Sequence, residues 1–159
     1  MNHPLHEVQI DEPLVRALLR SQHPDLAGLS LVRVAQGWDN VTFRLGDDLA
    51  VRLPARATAA ALLRHEQHWL PILAPLLPVP VPAPVRLGRP GTAFAWPWSV
   101  VPWLAGTPAD ELTPADRDAW AEQLAGTLAA LHGHTPADTG TALPVPDNPV
   151  RGVPLRARA

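Results

Sequence analysis

Between residues 29 and 53, three short runs of alternating apolar and polar residues follow one another, each bounded by turn formers. The alternation predicts strands over 29–35, 41–45 and 49–53, separated by Gly37-Trp38-Asp39-Asn40 and by Gly46-Asp47-Asp48. The period then changes. Across Ala57–Leu73, residues Leu62, Leu63, Trp69, Leu70 and Leu73 lie three, four and seven positions from Glu66, the spacing of one helix face. Upstream, Leu14, Leu18 and Leu19 predict a helix over 11–21, with Asp11 as its cap. Downstream, the chain between Pro71 and Pro90 is too rich in Pro for a regular helix or central strand after Leu73, and it reads as a stiff extended connector. Its Val, Leu and Ala content argues against an exposed polyproline ligand. Val85-Arg86-Leu87, the Gly88-Arg89-Pro90-Gly91 turn and an aromatic strand over 94–101 predict a hairpin. Thr113-Pro114-Ala115-Asp116 then starts a helix expected to reach about His132, with Trp120, Leu124, Leu128 and Leu131 as its buried stripe. From residue 135 onward no periodicity survives. These elements predict an α+β fold in which an antiparallel sheet of about five strands carries a packed helix.

One position breaks the hydrophobic pattern. Glu66 stands where the helix stripe calls for an apolar side chain, and a carboxylate so placed needs a cationic partner. Arg52, on the third strand, is the candidate. Such a pair serves either as a structural salt bridge or as a device for gripping an anion, and the pattern alone does not choose between them.

Composition narrows the field of functions. A chain of 159 residues with 47% hydrophobic content is long enough for one domain with a true core. Thirteen Lys and Arg against fifteen Asp and Glu give a net charge of −2, which offers no basic footprint for nucleic acid. The absence of Cys excludes disulfides, thiolate catalysis and Cys-ligated metals, and accords with a cytoplasmic location. No apolar run is long enough to span a membrane before Pro interrupts it, so no membrane partner is expected. His65 and His68, or His132-Gly133-His134, would be the material for a metal site, but without Cys or a convergent acid none is expected. A Ser-centred elbow, the mark of one large hydrolase class, is also missing.

The ordered series Gly37-Trp38-Asp39-Asn40, Ala50-Val51-Arg52-Leu53-Pro54, Glu66, Pro80-Val81-Pro82-Ala83-Pro84, Trp103-Leu104-Ala105-Gly106 and Leu128-Ala129-Ala130-Leu131-His132 resembles the N-terminal half of the aminoglycoside phosphotransferase family. The resemblance runs from about Val32 to His132. It implies a protein-kinase-like architecture: an N-terminal nucleotide-binding lobe over 1–101, a hinge over 102–108 and the start of a C-terminal lobe over 109–159. It also implies ATP or GTP with Mg²⁺ as cofactor and a small-molecule hydroxyl as acceptor, in a context of antibiotic resistance or small-molecule metabolism.

On that resemblance, Gly37, Asp39 and Asn40 belong to the turn over the nucleotide phosphates, although the same residues would also make a plain hairpin turn. Arg52 would hold the α- and β-phosphates, with Glu66 holding Arg52. Matching Gly106 to the family glycine after the hinge assigns the adenine-reading carbonyl to Pro102 and the N–H to Leu104, with Val101 behind the base. A shift by one residue would use Val101 and Trp103 instead. Trp96 and Trp98 read as core aromatics. His132-Gly133-His134 lacks the Asp of the family's catalytic loop, and Asp147-Asn148 lacks its metal-binding context. No catalytic residue is therefore expected in this chain, which reads as an N-terminal fragment, inactive alone, of a small-molecule kinase. The alternative is a non-catalytic binding module with a kinase-like lobe. Surfaces meant for the second lobe, including the hinge and the Trp120 helix, are expected to be apolar and to support self-association.

Overall fold

In the computed structural model, residues 6–133 are described. Helix α1 (Glu12–Gln22) starts where its sequence directs: the Asp11 side chain accepts from the Leu14 N–H at 3.0 Å, and Pro13 lies in the first turn. Its stripe of Val15, Leu18 and Leu19 is buried. Strands β1 (Leu31–Gln36), β2 (Asn40–Leu45) and β3 (Leu49–Pro54) form an antiparallel meander, and β4 (Arg86–Gly88) and β5 (Trp98–Pro102) form the expected hairpin. The sheet order is β1-β2-β3-β5-β4, with every neighbouring pair antiparallel.

The two faces of the sheet do different work. Val41, Phe43 and Leu45 of β2, Val51 and Leu53 of β3, and Trp98 and Val100 of β5 alternate onto one face and pack against α1 in a single core. Helix α2 (Ala57–Leu73), at its expected bounds, contacts β3 and β5. By strand alternation and register, the face opposite the α1 core carries Thr42, Ala50, Arg52, Ser99 and Val101.

Close approach within the hairpin depends on Gly88. A Cβ there would stand 2.0 Å from the ring of fully buried Trp98, so only glycine lets β4 lie over the indole. The β2–β3 turn uses Gly46 at φ 61°, in the left-handed region, with its N–H donated to the Ser30 carbonyl at 2.8 Å.

Three expectations are corrected. The aromatic strand begins at Trp98 instead of residue 94, because Gly91 and Phe94 close a turn through reciprocal N–H to carbonyl bonds at 2.8 and 3.2 Å. The single helix expected after Thr113 is two, α3 (Pro114–Asp118) and α4 (Ala121–Gly133), broken at Ala119 and Trp120. Thr113 caps α3 as expected, its hydroxyl accepting from the Asp116 N–H at 3.2 Å. The expected stripe is not buried: Trp120, just before α4, and Leu124, Leu128 and Leu131 within it are 36%, 48%, 46% and 39% exposed. Among the described residues, α3 is the main neighbour of α4, and one short helix cannot cover such a stripe. The Pro-rich connector follows its composition, with one 3₁₀ turn at Ala74–Leu76 and no further regular element before β4. The sequence from 134 onward, including His134 and Asp147-Asn148, lies outside the described residues.

Candidate functional site

Arg52 and Glu66 meet. Arg52 projects from β3 toward α2, and its Nη1 donates to Glu66 Oε2 at 2.8 Å. The Glu66 side chain is 35% exposed, which corrects the expectation of a buried carboxylate. Ala59, Ala60, Leu63 and Trp69 carry the buried stripe of α2, while Glu66 lies at its margin. A half-exposed pair of this kind adds little to folding.

Around this pair the neighbouring residues are tightly anchored. Gln67, next to Glu66, donates through Nε2 to the Trp98 carbonyl at 2.9 Å and to Ser99 Oγ at 3.0 Å. Ser99 is fully buried and sits opposite Arg52 in the β3–β5 register.

The Gly37-Trp38-Asp39-Asn40 turn packs against the junction of β3 and α2. The Ala55 N–H donates to the Asp39 carbonyl at 2.8 Å, and Arg56 Nη1 lies 3.6 Å from Asp39 Oδ1. The Gly37 N–H is committed to the Asn40 carbonyl at 2.9 Å, and its own carbonyl lies 3.2 Å from His6 Nε2. A Cβ on Gly37 would make only an ordinary 3.6 Å contact, so the turn itself does not demand glycine at that position. Asn40 Oδ1 is buried with no hydrogen-bond partner.

The chain leaves the sheet through the segment expected to be the hinge. Val101 is buried, Pro102 half-buried and Leu104 exposed. The Trp103 N–H donates to the Asp48 carbonyl at 2.8 Å, so the one-residue shift, which would require that N–H for a ligand, does not fit this arrangement. On the other edge of β5, the Val100 carbonyl accepts from the Val85 N–H at 2.9 Å. By alternation, the Pro102 carbonyl points to the same side, past the end of β4. One more step of that ladder would bring the Ala83 N–H to Pro102. That N–H instead donates to the Val81 carbonyl at 2.7 Å, and Pro82 and Pro84 have none to offer. The Pro102 carbonyl is thus left at the open edge of the sheet.

Arg44 and Trp103 form a wall that sequence reasoning did not identify. The guanidinium carbon of Arg44 lies 5.2 Å from the Trp103 ring centroid, and Nη2 donates to the Asp47 carbonyl at 3.1 Å. A cation on β2 and an indole beyond β5 give no signal in sequence until the register across the sheet is known. Among the described residues, no group of three or more His, Asp or Glu side chains is placed to hold a metal ion, and no helix is long and apolar enough to cross a membrane.

The fold has counterparts among solved structures. The GDP complex of wild-type aminoglycoside 2'-phosphotransferase-IIIa superposes with a TM-score of 0.72 at 20% identity, over 81% of this chain and 44% of that one. A streptomycin and ATP ternary complex of APH(2")-IIa gives 0.57 at 19% identity, over 80% and 41%. Macrolide 2'-phosphotransferase type I gives 0.54 at 23% identity, over 86% and 48%. At these identities the likeness is one of fold, and the chain spans less than half the length of each of these structures. No curated protein matches it significantly. Residues 30–151, well over half of the sequence, match the profile of the phosphotransferase enzyme family, and the chain belongs to that family.

Proposed function

We propose that this chain is the nucleotide-binding lobe of an ATP- or GTP-dependent small-molecule kinase, whose full polypeptide transfers the γ-phosphate to a substrate hydroxyl. The observation that carries the reading is the pairing of Arg52 with Glu66 on a sheet face whose adjoining hinge edge is left open at Pro102. Arg52 keeps donors beyond the one directed at Glu66, and a planar guanidinium held by a carboxylate is oriented to fork onto phosphate oxygens. Val101 and Ala50 are neighbours across β3 and β5 and both are buried, so they form apolar packing behind the position assigned to the base. The Pro102 carbonyl and the Leu104 N–H are the backbone groups assigned to the base. Their spacing accepts a purine edge without any side-chain donor.

The turn acts mainly through shape. Asp39 faces Arg56, which offsets a negative charge that would otherwise repel phosphate, and Gly37 and Asn40 close the turn upon themselves. Phosphoryl transfer by this fold needs a hydroxyl-orienting acid and metal-binding side chains, neither of which is assigned to a residue of this chain. Aminoglycosides and macrolides, the substrates in the names of the similar structures, support a small-molecule hydroxyl as the acceptor.

Titration of the chain with ATP and GTP, each with Mg²⁺, by isothermal calorimetry tests the proposal. Binding of at least one nucleotide is expected. Arg52→Met should weaken it roughly ten-fold or more, the scale of a charge-assisted hydrogen bond. Failure of both nucleotides to bind, or affinity indifferent to Arg52→Met, would overturn the reading in favour of a non-catalytic module.

A further inference from the structure

We infer that Gln67 is a positioning residue, which locks α2 onto β5 so that Glu66 already holds Arg52 before any nucleotide arrives. The inference rests on the nucleotide-binding reading for its functional meaning. Its geometry stands independently. Consecutive residues of a helix diverge by about 100°, so Glu66 and Gln67 reach to either side of the line along which α2 meets the sheet. Glu66 takes the Arg52 guanidinium on β3, and Gln67 takes the Trp98 carbonyl and Ser99 Oγ on β5. Because Arg52 and Ser99 are partners in register, the helix is tied to two adjacent strands at one level of the sheet.

The two ties differ in strength. Arg52 and Glu66 have side chains 22% and 35% exposed, so water competes for both and the ion pair alone is a weak restraint. Ser99 is fully buried, and its hydroxyl would lose a partner with no water to replace it if Gln67 withdrew. Of the two polar ties, the one at Gln67 thus opposes a swing of α2 away from the sheet more strongly. The carboxamide, carrying no net charge, does this without competing with Glu66 for the guanidinium or with a phosphate for either.

Gln67→Met removes the donor while keeping an unbranched side chain of similar size. The chain contains no Cys, so a pair of cysteines at exposed Arg64 of α2 and Leu87 of β4 gives a clean site for two spin labels. Pulsed dipolar spectroscopy of the nucleotide-free protein should give one narrow distance distribution in the labelled parent and a broadened or two-component distribution in Gln67→Met. With Mg²⁺–ATP as the probe, Gln67→Met should bind about ten-fold more weakly than the parent, and saturation should restore the narrow distribution. In a Glu66→Gln background the same substitution should change affinity less than two-fold, because the geometry it protects is already gone. A purely structural role would leave the distribution narrow and would lower affinity equally in both backgrounds, and either result overturns the inference. If the parent binds no ATP, the proposed function fails while the nucleotide-free distributions still decide whether Gln67 holds the helix.

Discussion

Replacing Gly88 by Ala would place a methyl carbon 2.0 Å from Cδ2 and Cε2 of Trp98 and 2.2 Å from its Nε1. Carbon atoms pack best at about 3.5–4.0 Å, so roughly 1.5 Å of separation must be found. The indole cannot supply it easily. Trp98 is fully buried in the core shared with α1, and His23 meets it edge-on with ring centroids 5.3 Å apart. The other route moves β4 off β5 and loses the Gly88 to Trp98 pairing at the end of the hairpin. Overpacking of this kind costs about 1–3 kcal/mol or more. For a domain of this size that corresponds to a fall in Tm of roughly 3–12 °C. Thermal unfolding followed by circular dichroism, with urea unfolding followed by Trp fluorescence, would measure it. The decisive control is Trp98→Leu, which is itself destabilising but removes the ring that the new methyl strikes. Gly88→Ala should cost at least about 1 kcal/mol less in that background. An equal cost in both backgrounds, or a Tm within about 1 °C of the parent for Gly88→Ala alone, would refute the reasoning.

Gly46→Ala should destabilise by about 1–2 kcal/mol through its left-handed backbone, since the new Cβ would meet Leu29 only at an ordinary 3.5 Å. Gly46→Asn should cost clearly less than Gly46→Ala in urea unfolding. The exposed stripe of α4 should make the chain self-associate. Replacing both Leu124 and Leu128 by Gln should weaken that association at least about ten-fold by sedimentation velocity while leaving the helical circular dichroism signal in place.

What could be read from the sequence follows the physical strength of each signal. Strands β2 and β3 and the bounds of α2 were legible because alternation and helical spacing are dictated by which side chains must leave water. Asp11 and Thr113 were legible as caps because short oxygen-bearing side chains satisfy the free N–H groups of a first turn. The break between α3 and α4 was not, since Ala119 and Trp120 carry no helix-breaking chemistry. Burial of the Trp120 stripe could not be judged either, because periodicity identifies an apolar face and says nothing of what covers it. The aromatic run at 94–101 misled in the opposite sense: aromatic content suggested strand, while Pro97 and the Gly91–Phe94 turn hold the first half outside the ladder.

The candidate site divides along the same line. Arg52 and Glu66 stood out because a carboxylate interrupted an apolar spacing, although in the structure Glu66 escapes that conflict by lying at the margin of the buried stripe, 35% exposed. The backbone groups of the hinge leave no such trace, since a carbonyl is common to every residue. Their availability is nonetheless set by sequence, through the connector instead of the hinge. Pro82 and Pro84 have no N–H, and Ala83 between them donates to Val81, so β4 cannot extend to pair with Pro102. A connector of ordinary composition could continue the ladder and cap that carbonyl with a backbone donor. The density of Pro before β4 therefore does more than stiffen a crossing: it keeps one edge of β5 open at Pro102, its last residue.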